Sequence, residues 1–106
     1  MKHLAVVTTL SDRDQARRLA RTLVERKLAA CAQISEIESF YVWDGAVQNE
    51  PELRVLFKTS GARYDEVVQA IKELHPYELP AIHAYACERI DAPYAQWIED
   101  STRPKR

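Results

Sequence analysis

Glycine is nearly absent: the 106-residue chain has two, Gly45 and Gly61. A Gly-rich phosphate loop such as G-x-x-x-x-G-K-S/T is therefore excluded. Cysteine is as scarce, with Cys31 and Cys87 standing far apart and outside any C-x-x-C pair. That spacing rules out the common zinc and dithiol redox motifs. No apolar run approaches the length needed to cross a bilayer. The opening "MKHLAVVTTLSDRD" has too short an apolar stretch for a secretory signal, so a cytoplasmic protein with reduced thiols is expected. The two cysteines are then expected to be buried small hydrophobes. There is also no excess of charge of one sign: 15 Lys and Arg against 16 Asp and Glu leave a net charge of −1. That balance argues against a nucleic-acid surface and against a polybasic membrane patch. The basic ending "TRPKR" reads as a solvated terminus.

What is present is strong local patterning, enough for one domain over residues 1–106. Residues 3–9, "HLAVVTT", are β-branched and apolar and predict a strand. Residues 12–27 place Ala16, Leu19, Ala20, Leu23 and Val24 on one helical stripe, with Arg13, Arg17, Arg18 and Arg21 opposite. Ser11 followed by Asp14 resembles a capping box. From 29 to 59 the period becomes two, in long runs on either side of the turn signal Asp44-Gly45. The parity of apolar residues slips between Ile34 and Ile37, which predicts a bulge or bend, and Pro51 puts the start of the second run at an edge or a bulge. A second helix carries Tyr64, Val67, Val68, Ile71 and Leu74, with Ser60 as its expected cap, and Pro76 stops it. "AIHAYACERI" (81–90) reads as a fourth strand, and "DAPYAQWIEDS" (91–101) as a short helix capped by Asp91.

The order β-α-β-β-α-β plus a short helix predicts a ferredoxin-like α+β fold: an antiparallel sheet, two helices on one face, and a long hairpin between the second and third strands. Such a sheet should be polar on its open face. Here "FYVW" (40–43), Leu56, Tyr85 and Cys87 are apolar where polarity is expected. Copies of the chain are expected to cover one another, the alternative being that the terminal helix folds back over that face.

The segments "LAAC" (28–31), "FYVWDG" (40–45), "FKT" (57–59), "LHPYELPAI" (74–82) and "YAQWI" (94–98) together resemble the CutA divalent-cation-tolerance family over essentially the whole chain. The resemblance implies a homotrimer knitted by the hairpins, a role in tolerance of copper and other divalent metals, and no catalytic activity. It implies as well a likeness in architecture to PII signalling proteins. An alternative function follows from that likeness, a small-ligand-binding trimer with the ligand in an intersubunit cleft. Family metal ligands carry over only at His75; the first-strand position is Thr8 rather than cysteine, and Leu74 precedes His75 where a second histidine can stand. Lys58, Tyr41, Trp43, Tyr77, Glu78 and Trp97 are the further candidates for the cleft. The residues themselves leave two readings of His75 open, a ligand or the end of a helix. His3 and His83 are expected to be structural or exposed. An acylphosphatase-like enzyme is disfavoured by the acidic, glycine-free "TTLSDRD", and an RNA-binding sheet by the absence of an RNP1 pattern.

Overall fold

In a computed structural model, which describes residues 2–104, β-branched and apolar residues build the first strand, β1 (His3–Leu10). Helix α1 (Arg13–Glu25) follows. The long hairpin is β2 (Cys31–Trp43) and β3 (Ala46–Ser60). A 3₁₀ turn (Gly61–Arg63) leads into α2 (Tyr64–Leu74), then β4 (Ile82–Ala86) and α3 (Ala92–Ser101). The four strands form one antiparallel sheet in the order β2-β3-β1-β4. This is the ferredoxin-like order expected. Lys105 and Arg106, the end of the basic tail, lie outside the described residues.

Strand alternation sorts the side chains. Val6, Leu10, Leu53, Val55 and Phe57 share the face covered by α1 and α2 and meet Ala16, Leu19, Leu23, Val67 and Ile71 in one buried cluster. Full burial of a side chain such as Phe57 contributes about 2–3 kcal/mol. The opposite face carries His3, Val7, Leu56, Lys58 and Ser60. There α3 lies across the sheet: His3 Nε2 is 3.0 Å from Glu99 Oε1, and Ser60 Oγ is 3.2 Å from Thr102 Oγ1. The terminal helix does fold back, but Tyr85, Trp97 and Cys87 stay exposed beside it. One ten-residue helix is too small to cover the whole face.

Several local expectations are corrected. The cap of α1 is Asp12, not Ser11: its extended backbone lets its carboxylate accept from the Gln15 N–H at 2.9 Å. No bulge interrupts the hairpin; one register runs from Cys31 opposite Lys58 to Trp43 opposite Ala46. The slip of apolar parity instead records one side chain, Ile37, on the open face, while Ile34 before it and Phe40 and Val42 after it lie on the helix side. Ser60 precedes the 3₁₀ turn and does not cap α2. The fourth strand stops at Ala86, opposite Leu4; the Cys87 N–H still donates to the His3 carbonyl at 2.9 Å, and the chain leaves the ladder after it. Cys31 is half-buried and Cys87 exposed rather than core residues, since Cys31 points to the open face and Cys87 follows a strand end.

The hairpin outruns its neighbours. β1 pairs with β3 only over residues 53–60, so residues 37–52 project past the sheet by roughly 23 Å. Pro51 lies in this stretch, where β3 has one neighbour and a missing N–H is harmless. A two-residue turn, Asp44 (φ 54°) and Gly45 (φ 73°), closes the tip. Paired left-handed residues give the tight turn whose twist matches the strands.

Candidate functional site

The second helix must end before Pro76, and His75 takes extended backbone geometry there. Its side chain does not cap the helix. It turns to β1, where Nε2 donates to the Thr9 carbonyl at 2.9 Å, and Nδ1 accepts from the Tyr77 N–H at 3.1 Å. This pair of bonds defines one neutral tautomer. With 8% of its surface exposed, His75 has its pKa lowered by burial, against opposing pulls from the Thr9 carbonyl and Glu52. The imidazole therefore ties the segment 75–81 to the end of β1, and Tyr77 packs edge-on against it at 4.8 Å.

Held this way, the segment faces the root of the hairpin arm. Tyr77 OH donates to Glu52 Oε2 at 2.8 Å. Further out, Tyr41 OH donates to Glu50. The two bonds bracket a cleft of about 580 Å³ between arm and linker, with Trp43, Glu78 and Leu79 also on its walls. Strand alternation explains the lining: Ser39, Tyr41 and Trp43 of β2 share one face with Glu50 and Glu52 of β3. No basic side chain lines it among the described residues. The carboxylates hold the neighbouring phenols in their protonated form. Tyr41 is pushed up to about 12, chiefly by the hydrogen bond to Glu50. Tyr77 is raised first by burial and then by Glu52, with Ser11 opposing.

Of the residues singled out from the sequence, Tyr41, Trp43, Tyr77 and Glu78 come together here, and His75 stands behind the wall. Lys58 and Trp97 lie elsewhere in the chain. Lys58 is ten residues along β3 from Gln48, the partner of Tyr41, a separation of roughly 33 Å. Its ammonium sits 5.3 Å from the Tyr94 ring centroid, and its pKa is raised first by the hydrogen bond with Tyr94. Trp97 stacks on Tyr94 at 5.6 Å. Thr8 is buried on the helix-covered face, and its hydroxyl has no partner among the described residues. His3 faces Glu99, and His83 is exposed beside the Tyr85 hydroxyl at 3.0 Å. Sequence reasoning missed Glu50 and Glu52. The two-residue turn at Asp44-Gly45 carried the signal, for it places Glu50 opposite Ser39 and on the same face as Tyr41.

The arm's other face is different. Phe40, Val42 and Val47 alternate onto the helix side, continuing the stripe of the core past the point where the helices end. They are 67%, 69% and 71% exposed. As metal donors, the cleft offers carboxylate oxygens already engaged by phenols. Among the described residues, no three His, Cys, Asp or Glu side chains converge in a way that could hold a metal ion. No described helix is long and apolar enough to cross a membrane.

Comparison with known proteins adds a consistent result. The family model for the CutA1 divalent ion tolerance protein matches residues 4–101. A divalent-cation tolerance protein CutA from Thermococcus kodakarensis is 36% identical over 98 residues, covering 92% of this chain and 94% of that one. The structure of a CutA from Archaeoglobus fulgidus, described as a periplasmic divalent cation tolerance protein, superimposes with a TM-score of 0.93 at 33% identity, covering 95% and 99% of the two chains. CutA1 from the psychrotrophic bacterium Shewanella sp. SIB1 is 38% identical with a TM-score of 0.92, over 96% of each chain.

Proposed function

The chain belongs to the CutA1 divalent ion tolerance protein family, and from that premise we propose that it works as a homotrimer in the tolerance of copper and other divalent cations, through weak direct contact rather than catalysis. The observation that carries this reading is the cleft itself: Glu50, Glu52 and Glu78 stand against aromatic walls with no cation among the lining. Oxygen donors in a concave, electronegative site attract divalent ions. An anionic ligand, the alternative that the PII likeness raised, would meet three carboxylates there. Because one chain supplies too few converging donors, binding stays weak or gains donors from a second copy. The apolar stripe Phe40, Val42 and Val47 supports the trimer: its burial against another copy removes surface that the chain's own helices do not reach. The separation of Lys58 and Trp97 from the cleft fits the same picture, in which the arm of one copy meets the body of the next. The unpaired thiols of Cys31 and Cys87 suit a reducing compartment such as the cytoplasm.

In this reading His75 positions the linker, and a metal on either ring nitrogen must displace the bond to Thr9 or to Tyr77. Isothermal titration with Cu²⁺, with mass followed by light scattering, tests it. The wild-type chain binds weakly as a trimer. Glu50→Gln with Glu52→Gln lowers affinity roughly tenfold, and His75→Ala lowers it less. Both variants keep the trimer. Unchanged Cu²⁺ affinity in the double variant removes the cleft from cation handling.

A further inference from the structure

At the end of the sheet away from the arm, one concavity gathers cations. Where α1 stops, the 3₁₀ turn begins and α3 ends, a concavity of about 290 Å³ is lined by Arg26, Lys27, Arg63 and Arg103, with Glu25 the sole acid in its lining. Arg63 is the inner member. It is 8% exposed, its Nη1 donates to Glu66 Oε1 at 2.7 Å, and its buried Nε has no acceptor among the described residues. A buried guanidinium N–H left without an acceptor is an uncommon state in a folded protein. Lys27 stands at the rim and forms no ion pair among the described residues. It occupies the left-handed position after α1, at φ 60°, where glycine is the usual residue. The chain thus keeps a cation where the backbone favours none. Arg103 donates to Asp100 at 2.7 Å, and Arg26 reaches Glu73 only at 3.9 Å. Two nearby carboxylates, Glu66 and Asp100, are already each held by an arginine, and Glu25 lies 3.9 Å from Arg21.

We propose that this concavity binds a small tetrahedral oxyanion of the phosphate class, with the Arg63 guanidinium as the inner cation and Lys27 and Arg103 flanking it. Guanidinium groups offer planar, charge-assisted donors that match phosphate oxygens, and lysine adds a mobile point charge. The site needs no Gly-rich loop, because side chains rather than backbone amides supply the donors. It is separate from the acidic cleft, so the outcome at either site is independent of the other.

The test is an amide-resolved NMR titration of the whole chain with inorganic phosphate and with glycerol phosphate, each at constant ionic strength set with chloride. Saturable shifts are expected at residues 25–27, 61–64 and 101–103. Tighter binding of glycerol phosphate than of phosphate identifies a phosphorylated metabolite as the ligand; equal binding identifies the free ion. Lys27→Gly with Arg103→Gln weakens binding by roughly tenfold or more, while the left-handed position is relieved and the fold is kept. Arg63→Gln, checked for native folding by its thermal transition, abolishes the saturable shifts. No saturable response, shifts confined to the exposed arginines of α1, or an unaffected Lys27→Gly/Arg103→Gln variant overturns the proposal.

Discussion

The arm and the body of this chain are made of the same two strands, yet they obey different rules. Within the body, residues 53–58 of β3 have a strand on each side and a helix pair over one face, and Val55 and Phe57 there are fully buried. Along the arm, residues 46–51 have one neighbouring strand and stay exposed or half-buried, and Glu52 at its root is buried beneath Tyr77. Charge follows the same division. Residues 36–52 hold Glu36, Glu38, Asp44, Glu50 and Glu52 and no Lys or Arg, whereas the far end gathers Arg26, Lys27, Arg63 and Arg103. The body is stabilised by what it buries. The arm is held by its register and its turn, and it presents what it does not bury. Sites for other molecules are expected on the second kind of surface, and that is where the cleft stands.

Three measurements probe this contrast. The largest effect belongs to the body: Phe57→Ala opens a cavity in the core and is expected to destabilise the fold by about 3–5 kcal/mol, read by denaturant unfolding. A loss below about 1 kcal/mol would mean that the body is not the source of stability. Next comes the hinge between the regions. His75→Gln removes a ring whose two nitrogens join β1 to the linker, and is expected to cost about 1–3 kcal/mol at neutral pH. It also removes a pH dependence. Burial lowers the His75 pKa in the folded chain, so the unfolded chain takes up the proton first as pH falls. The wild-type chain should therefore lose stability as pH drops through the ordinary histidine range near 6.5 and on toward the lowered folded value. The Gln variant should lack that component, and identical Tm-against-pH slopes for the two would contradict it. The smallest effect on secondary structure is expected in the arm. Phe40→Ser with Val47→Ser should leave the circular dichroism spectrum native while light scattering shows a reduced mass. An unchanged mass would show that this stripe does not join copies.

Much of this architecture could be read in the residues. Runs of β-branched side chains marked β1. The Asp44-Gly45 turn marked the hairpin tip, Pro76 marked the end of α2, and Pro93 after Asp91 marked the start of α3. What escaped reading shares a cause: it depends on partners distant in the chain. Ser11 and Asp12 are both competent caps, and only the backbone path decides for Asp12. β4 ends opposite Leu4, at a point its own composition does not mark. The apolar shift between Ile34 and Ile37 looks like a bulge in a lone strand, and the unbroken register shows it to be one isoleucine on the open face. His75 was weighed as a metal ligand or a helix end, and it bonds a carbonyl 66 residues away. In the candidate cleft, the aromatic members were visible as "FYVW" and "PY". Glu50 and Glu52 were hidden among ordinary surface acids until the register placed them.

The uninterrupted ladder of the hairpin has a consequence for how such arms can vary in length. Antiparallel pairs alternate between hydrogen-bonded and open types, and a two-residue turn closes only on one type. Adding one residue to each strand would put the wrong type at the tip and would exchange the directions of every side chain beyond the insertion. Reach can therefore change cleanly only in steps of four residues, two per strand, or roughly 7 Å at a time. The projection behaves as a ruler with discrete marks, and its span is inherited in whole increments rather than tuned continuously.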